Sequence, residues 1–313
     1  EGRRMSAITP HTDSSVASDP AVAADSGVAP GTPARAPRRR RSRRTRSINL
    51  AAGATLFGII AVIAIVSLFF TPYAPDDTGG GRLQGPSWEH LAGTDKLGRD
   101  LFTHLMIGAR LALTVGFGSV LIATVVGVTL GLLAAMVNRW VDDAISSLLD
   151  IAIAFPTLLL AMLIVAWRGA SLESAILAIG LAGSAVIARL TRVTATRVLA
   201  QEFVTASRTS GTGSLRLIQL HVLPNVWPTL IVPLALQFGG AVVAEASLSY
   251  LGLGSPPPNA SWGRMLQEAQ ATVLVAPLAA ILPGLLLVAT IVGANLLADG
   301  LRDVADPTSR SVR

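Results

Sequence analysis

The chain has 313 residues, of which 51% are hydrophobic and only 14% are charged, and its mean hydropathy is +0.57. This balance is typical of an integral membrane protein and argues against a soluble domain of this length. Because the sequence contains no cysteine, disulfides, thiolate catalysis and cysteine-ligated metals are excluded. The net charge of +6 is not spread evenly, since seven of the nine residues from Arg38 to Arg46 are arginine.

Residues 1–47 are predicted to form a disordered, Arg-rich tail. Up to about residue 37 the tail is rich in Ala, Pro, Ser, Thr and Gly and has no apolar period, so it cannot bury enough surface to offset its ordering entropy. The arginine cluster fits a topology anchor that touches anionic lipid on the cytoplasmic side. Nucleic-acid binding is not favoured, because no aromatic or folded reader surrounds the cluster. A cleaved signal peptide is the remaining alternative.

Six apolar segments follow, and a bilayer-spanning helix needs about 20 such residues. Phe155-Pro156 is predicted to kink the third segment. Gly127 and Gly131 in the second have the spacing that lets membrane helices approach closely, unless they are merely tolerated glycines. We therefore predict an all-α polytopic fold over residues 48–305, followed by a C-terminal tail at 306–313. The predicted spans are 48–70, 110–137, 144–167, 171–190, 227–253 and 275–298, with a cytoplasmic loop at 191–225.

Six passes place both termini on the same side of the membrane. If that side is cytoplasmic, 19 of the 25 basic residues lie inside, in the tail, near Arg139, between Arg189 and Arg216, and at the C-terminus. The positive-inside rule then predicts a multi-pass protein of the cytoplasmic membrane with both termini in the cytoplasm. Trp167 and Trp262, near predicted outer span ends, suit an aromatic belt.

The polar stretch 201–224 lies between two long apolar blocks and is predicted to face the cytoplasm. A helix is predicted up to Thr209, ended by Gly211, and Ser214 is a candidate cap for a second short helix that runs to Pro224. One reading is an amphipathic segment that lies on the membrane surface. The other is a docking element, whose small side chains admit a partner's groove and whose polar rim adds contacts. The candidate residues are Thr205, Ala206 and Ser207 on the small face, with Glu202 and Arg208 at the rim.

This stretch resembles the EAA loop of ABC importer permeases. The resemblance consists of Thr205-Ala206-Ser207, then Gly211, and then His221-Val222-Leu223-Pro224. The family usually has Glu-Ala-Ala where this chain has Thr-Ala-Ser, so the match is carried by Ala206, Gly211, Leu223 and Pro224.

Other segments, in the expected order from about residue 48 to 310, are similar to the C-type permease subunit of dipeptide and oligopeptide importers, the peptide/nickel type. The similar segments are Gly93-Thr94-Asp95-Lys96-Leu97-Gly98-Arg99-Asp100, Ala154-Phe155-Pro156-Thr157-Leu158-Leu159, the run from Glu245 to Gly254, and Ala298-Asp299-Gly300-Leu301-Arg302-Asp303.

The resemblance implies a permease that pairs with a second, homologous permease, two ABC ATPase subunits and an extracytoplasmic binding protein, and that moves peptides. Nickel or another small ligand is the alternative cargo within the family. The chain's single lysine, Lys96, follows Asp95, so no Gly-Lys-Ser/Thr phosphate loop exists here. ATP and magnesium are therefore expected on the partner subunits, with no cofactor bound by this chain and no catalytic residue in it.

Two acidic residues, Asp150 and Glu245, lie inside predicted spans, where carboxylates mark a path, a gate or a buried structural pair. A membrane-embedded enzyme that uses both carboxylates is the alternative of a different class. No metal site is predicted, because the four histidines form no i, i+4 pair. The segment from Trp88 to Asp100 is predicted to lie outside the membrane, where it is either a docking surface for the binding protein or a solvated cap. Its candidate docking residues are Asp95, Lys96, Arg99 and Asp100.

Overall fold

The computed structural model describes residues 43–256 and 259–305, and within these ranges the regular structure is entirely helical. The all-α prediction is thereby confirmed. The predicted tails, apart from residues 43–47, lie outside the described residues. The helices are α1 (Arg43–Phe69), α2 (Leu101–Met136), α3 (Arg139–Ala154), α4 (Thr157–Arg168), α5 (Leu172–Leu199), α6 (Glu202–Thr209), α7 (Ser214–Leu217), α8 (Leu223–Tyr250), α9 (Trp262–Ala269) and α10 (Leu278–Ala305), with a π-helical turn Ile218–Val222 between α7 and α8.

Among the described residues, five helical segments are long and apolar enough to cross a bilayer. Four of them lie in α1, α2, α5 and α10. The fifth is the continuous stretch Ser214–Tyr250 made by α7, the π-helical turn and α8. The pair α3 and α4 becomes a sixth crossing only if the two helices are counted together.

The third predicted span is not one kinked helix. The axes of α3 and α4 differ by 92°, and the break lies at Phe155, whose ψ of 130° is extended. The ring of Pro156 disfavours a helical conformation at the residue before it. α4 has only 12 residues and reaches about 18 Å, which is little more than half of the hydrocarbon core.

Three predicted boundaries differ substantially from the structure. α2 begins at Leu101, nine residues before the predicted start at residue 110. α5 runs to Leu199, nine residues into the predicted loop, where the Thr194 and Thr196 hydroxyls donate to carbonyls one turn earlier. The fifth apolar helix begins at Ser214 rather than at residue 227, and Ser214 is its first residue rather than a side-chain cap. The loop boundaries predicted from polar residues are wrong because the helices of this membrane protein continue beyond the apolar segments.

Glycines fix the helix pairing. A Cβ on Gly127 would lie 2.7 Å from the Ser184 carbonyl oxygen of α5, and a Cβ on Gly131 would lie 2.4 Å from that of Ala188. The close approach predicted for these glycines is therefore confirmed. Residue numbers rise together along both helices, from Gly127 and Ser184 to Gly131 and Ala188. α2 and α5 therefore run parallel.

α8 runs antiparallel to α2. Val226 and Leu230 belong to the apolar cluster that includes Leu132 near the end of α2, whereas Phe238 meets Gly116, nearer the start of α2. The start of α2, α9 and residues 70–100 therefore lie at one end of the helices, the cap end. The end of α2, α3 and α6 lie at the other end, the α6 end.

α9 belongs to the cap end and was not predicted. Trp262 is buried, with 1% of its surface exposed, and its indole N–H donates to the Leu105 carbonyl oxygen at 3.1 Å. The aromatic-belt prediction is therefore wrong for Trp262, although Trp167 is 83% exposed as that prediction requires.

The close contacts at glycine predict that alanine substitutions at Gly58 and Gly131 have opposite effects on stability. In a helix, Gly→Ala normally stabilises by up to about 1 kcal/mol, and Gly58→Ala should follow this rule because nothing lies within 4 Å of its Cβ position. Gly131→Ala should instead lower stability by about 1–3 kcal/mol, because the added methyl overlaps α5. Thermal unfolding of the purified protein in detergent checks both variants, and equal shifts would contradict the proposed packing.

Candidate functional site

α6 is joined to the end of α5 by a tight turn. The Ala200 N–H donates to the Thr196 carbonyl, and the Gln201 N–H donates to the Val198 carbonyl at 3.0 Å. Gln201 then caps α6 with an extended backbone, and its carbonyl accepts from the Thr205 N–H. Only two residues, Ala200 and Gln201, separate the two helices.

The C-terminus of α6 closes in a Schellman motif. The Thr212 N–H donates to the Ser207 carbonyl at 3.1 Å, and the Gly211 N–H donates to the Arg208 carbonyl at 3.0 Å. Gly211 has φ of +82°, a conformation that glycine adopts without strain. The Ser207 hydroxyl adds a bond of 3.0 Å to the Thr212 hydroxyl. The helix end predicted at Gly211 is therefore confirmed.

A single buried side chain anchors α6 to the membrane helices. Val204 is fully buried, in a cluster that joins α5, α7, α8 and the π-helical turn. The Phe203 ring packs edge-on against His221 in that turn, with 5.8 Å between ring centroids. The other buried members of the cluster are Ala195, Leu217, Val222, Val226 and Leu230.

The π-helical turn lies immediately before Leu223 and Pro224. Proline has no N–H to donate, and its ring clashes with the carbonyl four residues earlier. A local widening of the helix accommodates this loss without breaking the helix. Leu223 and Pro224 therefore lie at the joint between the short α7 and the long α8, rather than on the surface of α6.

The outer face of α6 is largely exposed in the described part of the chain. Glu202, Thr205, Ala206 and Arg208 are exposed, while Ser207 is half-buried. A row of small side chains with charged residues at its two ends thus faces away from the helix bundle. This arrangement fits the predicted docking element, since a partner can approach the backbone closely at Ala206.

At the cap end, three of the four residues predicted to dock a binding protein hold the cap together. Asp95 accepts from the Arg99 Nε at 2.6 Å, and Arg99 also bonds Glu268 of α9. Asp100 caps α2 by accepting from the Thr103 N–H at 2.7 Å, and its other oxygen lies 3.0 Å from His90 Nδ1.

Lys96 is the exposed member of the predicted docking set. Arg99 is fully engaged instead: burial lowers its pKa, but its bonds to Asp95 and Glu268 outweigh that effect and hold the pKa above its ordinary value. The side chain therefore stays charged and ties α9 to the loop before α2. Docking of a binding protein at this segment stays a prediction.

Glu245 is a buried carboxylate near the cap end of α8. It is 2% exposed and accepts from the Ser249 hydroxyl at 2.6 Å. The neighbouring Ala246 carbonyl lies so close to α9 that a Cβ on Gly263 would come within 1.9 Å of it. Glu245 thus lies where α8 meets α9, and this position supports the structural-pair reading of the sequence.

Asp150 is placed very differently. It lies on α3 at the α6 end, 60% exposed, and pairs with Arg189 of α5 at 3.1 Å. Asp150 lies level with the end of α2, and Glu245 lies level with its start. Because about twenty residues of α2 separate these two levels, the carboxylates are roughly 30 Å apart. Asp150 and Glu245 therefore do not share a cavity, and this excludes the enzyme reading that needs both. In the described ranges, no group of three or more His, Cys, Asp or Glu side chains is placed to hold a metal ion.

Two features escaped the sequence reading. Glu268 reaches Arg99 across 169 residues of chain, and Arg192 of α5 makes a two-pronged ion pair with Asp142 of α3. Neither pair shows helical spacing, so no local pattern signals it. The positive-inside count did use Arg192, but only as a charge.

Comparison with known proteins agrees with this geometry. Residues 127–311 match the family described as binding-protein-dependent transport system inner membrane component. The chain is 41% identical to the dipeptide transport system permease protein DppC of Alkalihalophilus pseudofirmus, over 82% of this chain and 84% of that protein. It is 40% identical to the di/tripeptide permease protein DppC of Pseudomonas aeruginosa (82% and 88%). It is 37% identical to the glutathione permease protein GsiD of Pectobacterium atrosepticum (88% and 93%).

A solved chain of the methionine ABC transporter MetNI, in an inward-facing conformation, has a similar fold. The TM-score is 0.54 at 16% identity, and the match covers 65% of this chain and 96% of that chain. The resemblance to C-type peptide permeases is thus confirmed by relatives that match most of the chain. The chain belongs to the family of inner membrane components of binding-protein-dependent transport systems, as a multi-pass permease subunit of the ABC importer type.

Proposed function

We propose that this permease imports dipeptides or oligopeptides and is driven through α6 by a separate ATPase. The observation that carries the proposal is the α6 geometry: a short helix with an exposed face of small residues, joined to α5 by a two-residue turn and anchored by Val204. A partner that pushes on α6 moves α5 and α8 together, which is how one contact favours one of two helix packings.

Membership of the permease family supports the partners of this proposal. ATP is hydrolysed on two partner subunits, because the chain has no Gly-Lys-Ser/Thr phosphate loop. A second, homologous permease completes the path, and an extracytoplasmic binding protein delivers cargo at the cap end. The α6 end then faces the cytoplasm, which agrees with the excess of arginine predicted on that side.

A peptide cargo is supported by the relatives' names, which specify dipeptides, di/tripeptides and glutathione, a tripeptide. All three carry peptide or isopeptide amides and free carboxylates. Nickel is the weaker candidate, since the described side chains contain no cluster of three metal-ligating residues.

Blocking the exposed face of α6 should prevent ATPase binding. Ala206→Trp places a large ring on the outer face without disturbing Val204, so the permease should fold normally yet co-purify at least tenfold less ATPase. Gly85→Trp is the matched control, because Gly85 is exposed at the cap end and nothing lies within 4 Å of its Cβ position. Undiminished co-purification of ATPase with Ala206→Trp would contradict docking at α6.

Distorting the Schellman turn should uncouple the transporter. Gly211→Val puts a β-branched residue at φ of +82°, at a cost of about 1–2 kcal/mol, which shifts α6 relative to its anchor. Peptide import in proteoliposomes should fall about tenfold while ATP hydrolysis persists. Gly211→Asn should stay near wild type, because asparagine tolerates the left-handed region. Normal import by the valine variant would count against a role for this turn in coupling.

A further inference from the structure

An ion pair joins α3 to α5, and the function proposed above does not use it. Arg192 of α5 holds the Asp142 carboxylate with two nitrogens, Nε and Nη2, and the second bond measures 2.6 Å. The pair is partly shielded, with side chains 28% and 24% exposed. Two-pronged arginine–carboxylate pairs of this kind fix orientation as well as distance.

A second pair holds the other end of α3. Arg189 lies one turn before Arg192 on α5 and pairs with Asp150 at 3.1 Å. Between the two carboxylates α3 advances by eight residues, about 12 Å, whereas their partners on α5 are only about 4.5 Å apart. α3 therefore crosses α5 at an angle and is held near both of its ends. Leu149 packs against Ala185 and Ala188 at the crossing.

These contacts join α6 to α4. Arg192 lies only ten residues before Glu202, on the straight continuation of α5 that leads into α6. At its other end α3 meets the break at Phe155 and Pro156, beyond which α4 begins. α4 buries Ala161 and Val165 in the cluster formed by α2, α5 and α8 towards the cap end.

We propose that the Asp142–Arg192 and Asp150–Arg189 pairs form an ionic clamp that makes α3 move with α5 and α6, so that a displacement of α6 reaches α4 across the break. The clamp rests on the proposed function, since it assigns a second route for the movement that the ATPase imposes. Asp142 and Arg192 are positioning residues in this scheme. The Asp150–Arg189 pair is more exposed and contributes less.

Charge reversal in the reconstituted complex of both permeases, ATPases and binding protein tests the clamp. Arg192→Asp and Asp142→Arg should each reduce peptide import about tenfold at equal folded amount, while ATP hydrolysis changes less than twofold. The double variant, Asp142→Arg with Arg192→Asp, should recover import to within about threefold of wild type. The ratio of peptide imported to ATP hydrolysed is the decisive quantity, because a merely structural role would leave it unchanged.

Asp143→Asn is the matched control, because it removes an exposed carboxylate from α3 without placing a new positive charge near Arg192. Asp143 lies on the same helix and its carboxylate is 3.9 Å from Arg139, but both side chains are mostly exposed, so the ratio should stay at the wild-type value. An unchanged ratio in the single variants, or a double variant no better than either, would overturn the clamp. If wild-type complex imports no peptide on ATP, the proposed function itself fails and the clamp fails with it.

Discussion

The structure of the α6 end depends on one apolar contact, the burial of Val204 beneath α6. Full burial of a valine side chain contributes about 1.5–3 kcal/mol, and here it joins a helix of eight residues to α5, α7, α8 and the π-helical turn. An isolated helix of this length is not stable in water, so α6 exists because the cluster holds it. The same contact leaves the opposite face of α6 free for a partner. Burial of Val204 therefore both stabilises α6 and leaves its outer face exposed.

Different interactions stabilise the two ends of the helices. At the α6 end, an apolar anchor and small exposed side chains leave a surface that can be engaged and displaced. At the cap end, charged and polar groups are satisfied internally: Arg99 is held by two carboxylates, and the Trp262 indole is bonded to a backbone carbonyl. An internally bonded cap and an exposed, singly anchored α6 suit the proposed function, in which the cargo arrives at the cap end and the ATPase acts on α6.

The sequence predicted the elements whose signals are local. Long uncharged runs located the spanning helices, the glycine pair in α2 marked the close approach of α5, and Gly211 marked the end of α6. Each signal lies within one continuous segment of the sequence: no charge along a run in lipid, no Cβ at a helix contact, and no strain at positive φ. The surface residues of α6 were also found, because they form one continuous motif.

What the sequence did not predict depends on distant partners. Pro156 predicts a kink, whereas the 92° angle between α3 and α4 accompanies ion pairs between α3 and α5, whose residues are tens of positions apart in the sequence. Asp150 was assigned to the membrane interior because its neighbours are apolar, whereas Arg189 of another helix holds it at the surface. Trp262 and Glu268 belong to a helix of eight residues, and their partners, Leu105 and Arg99, precede them by more than 150 residues. In each case the deciding group lies tens of residues away.

The most direct test of the central claim uses the absence of cysteine. Ala206→Cys introduces a single thiol on the outer face of α6, and a short reagent with a thiol-reactive end and a photoactivatable end then links it to any protein within a few ångströms in the assembled complex. Gly85→Cys at the cap end is the control. The account predicts a covalent adduct between this chain and an ATPase subunit from position 206 and none from position 85. An assembled, ATP-hydrolysing complex that gives no adduct from position 206 would contradict it.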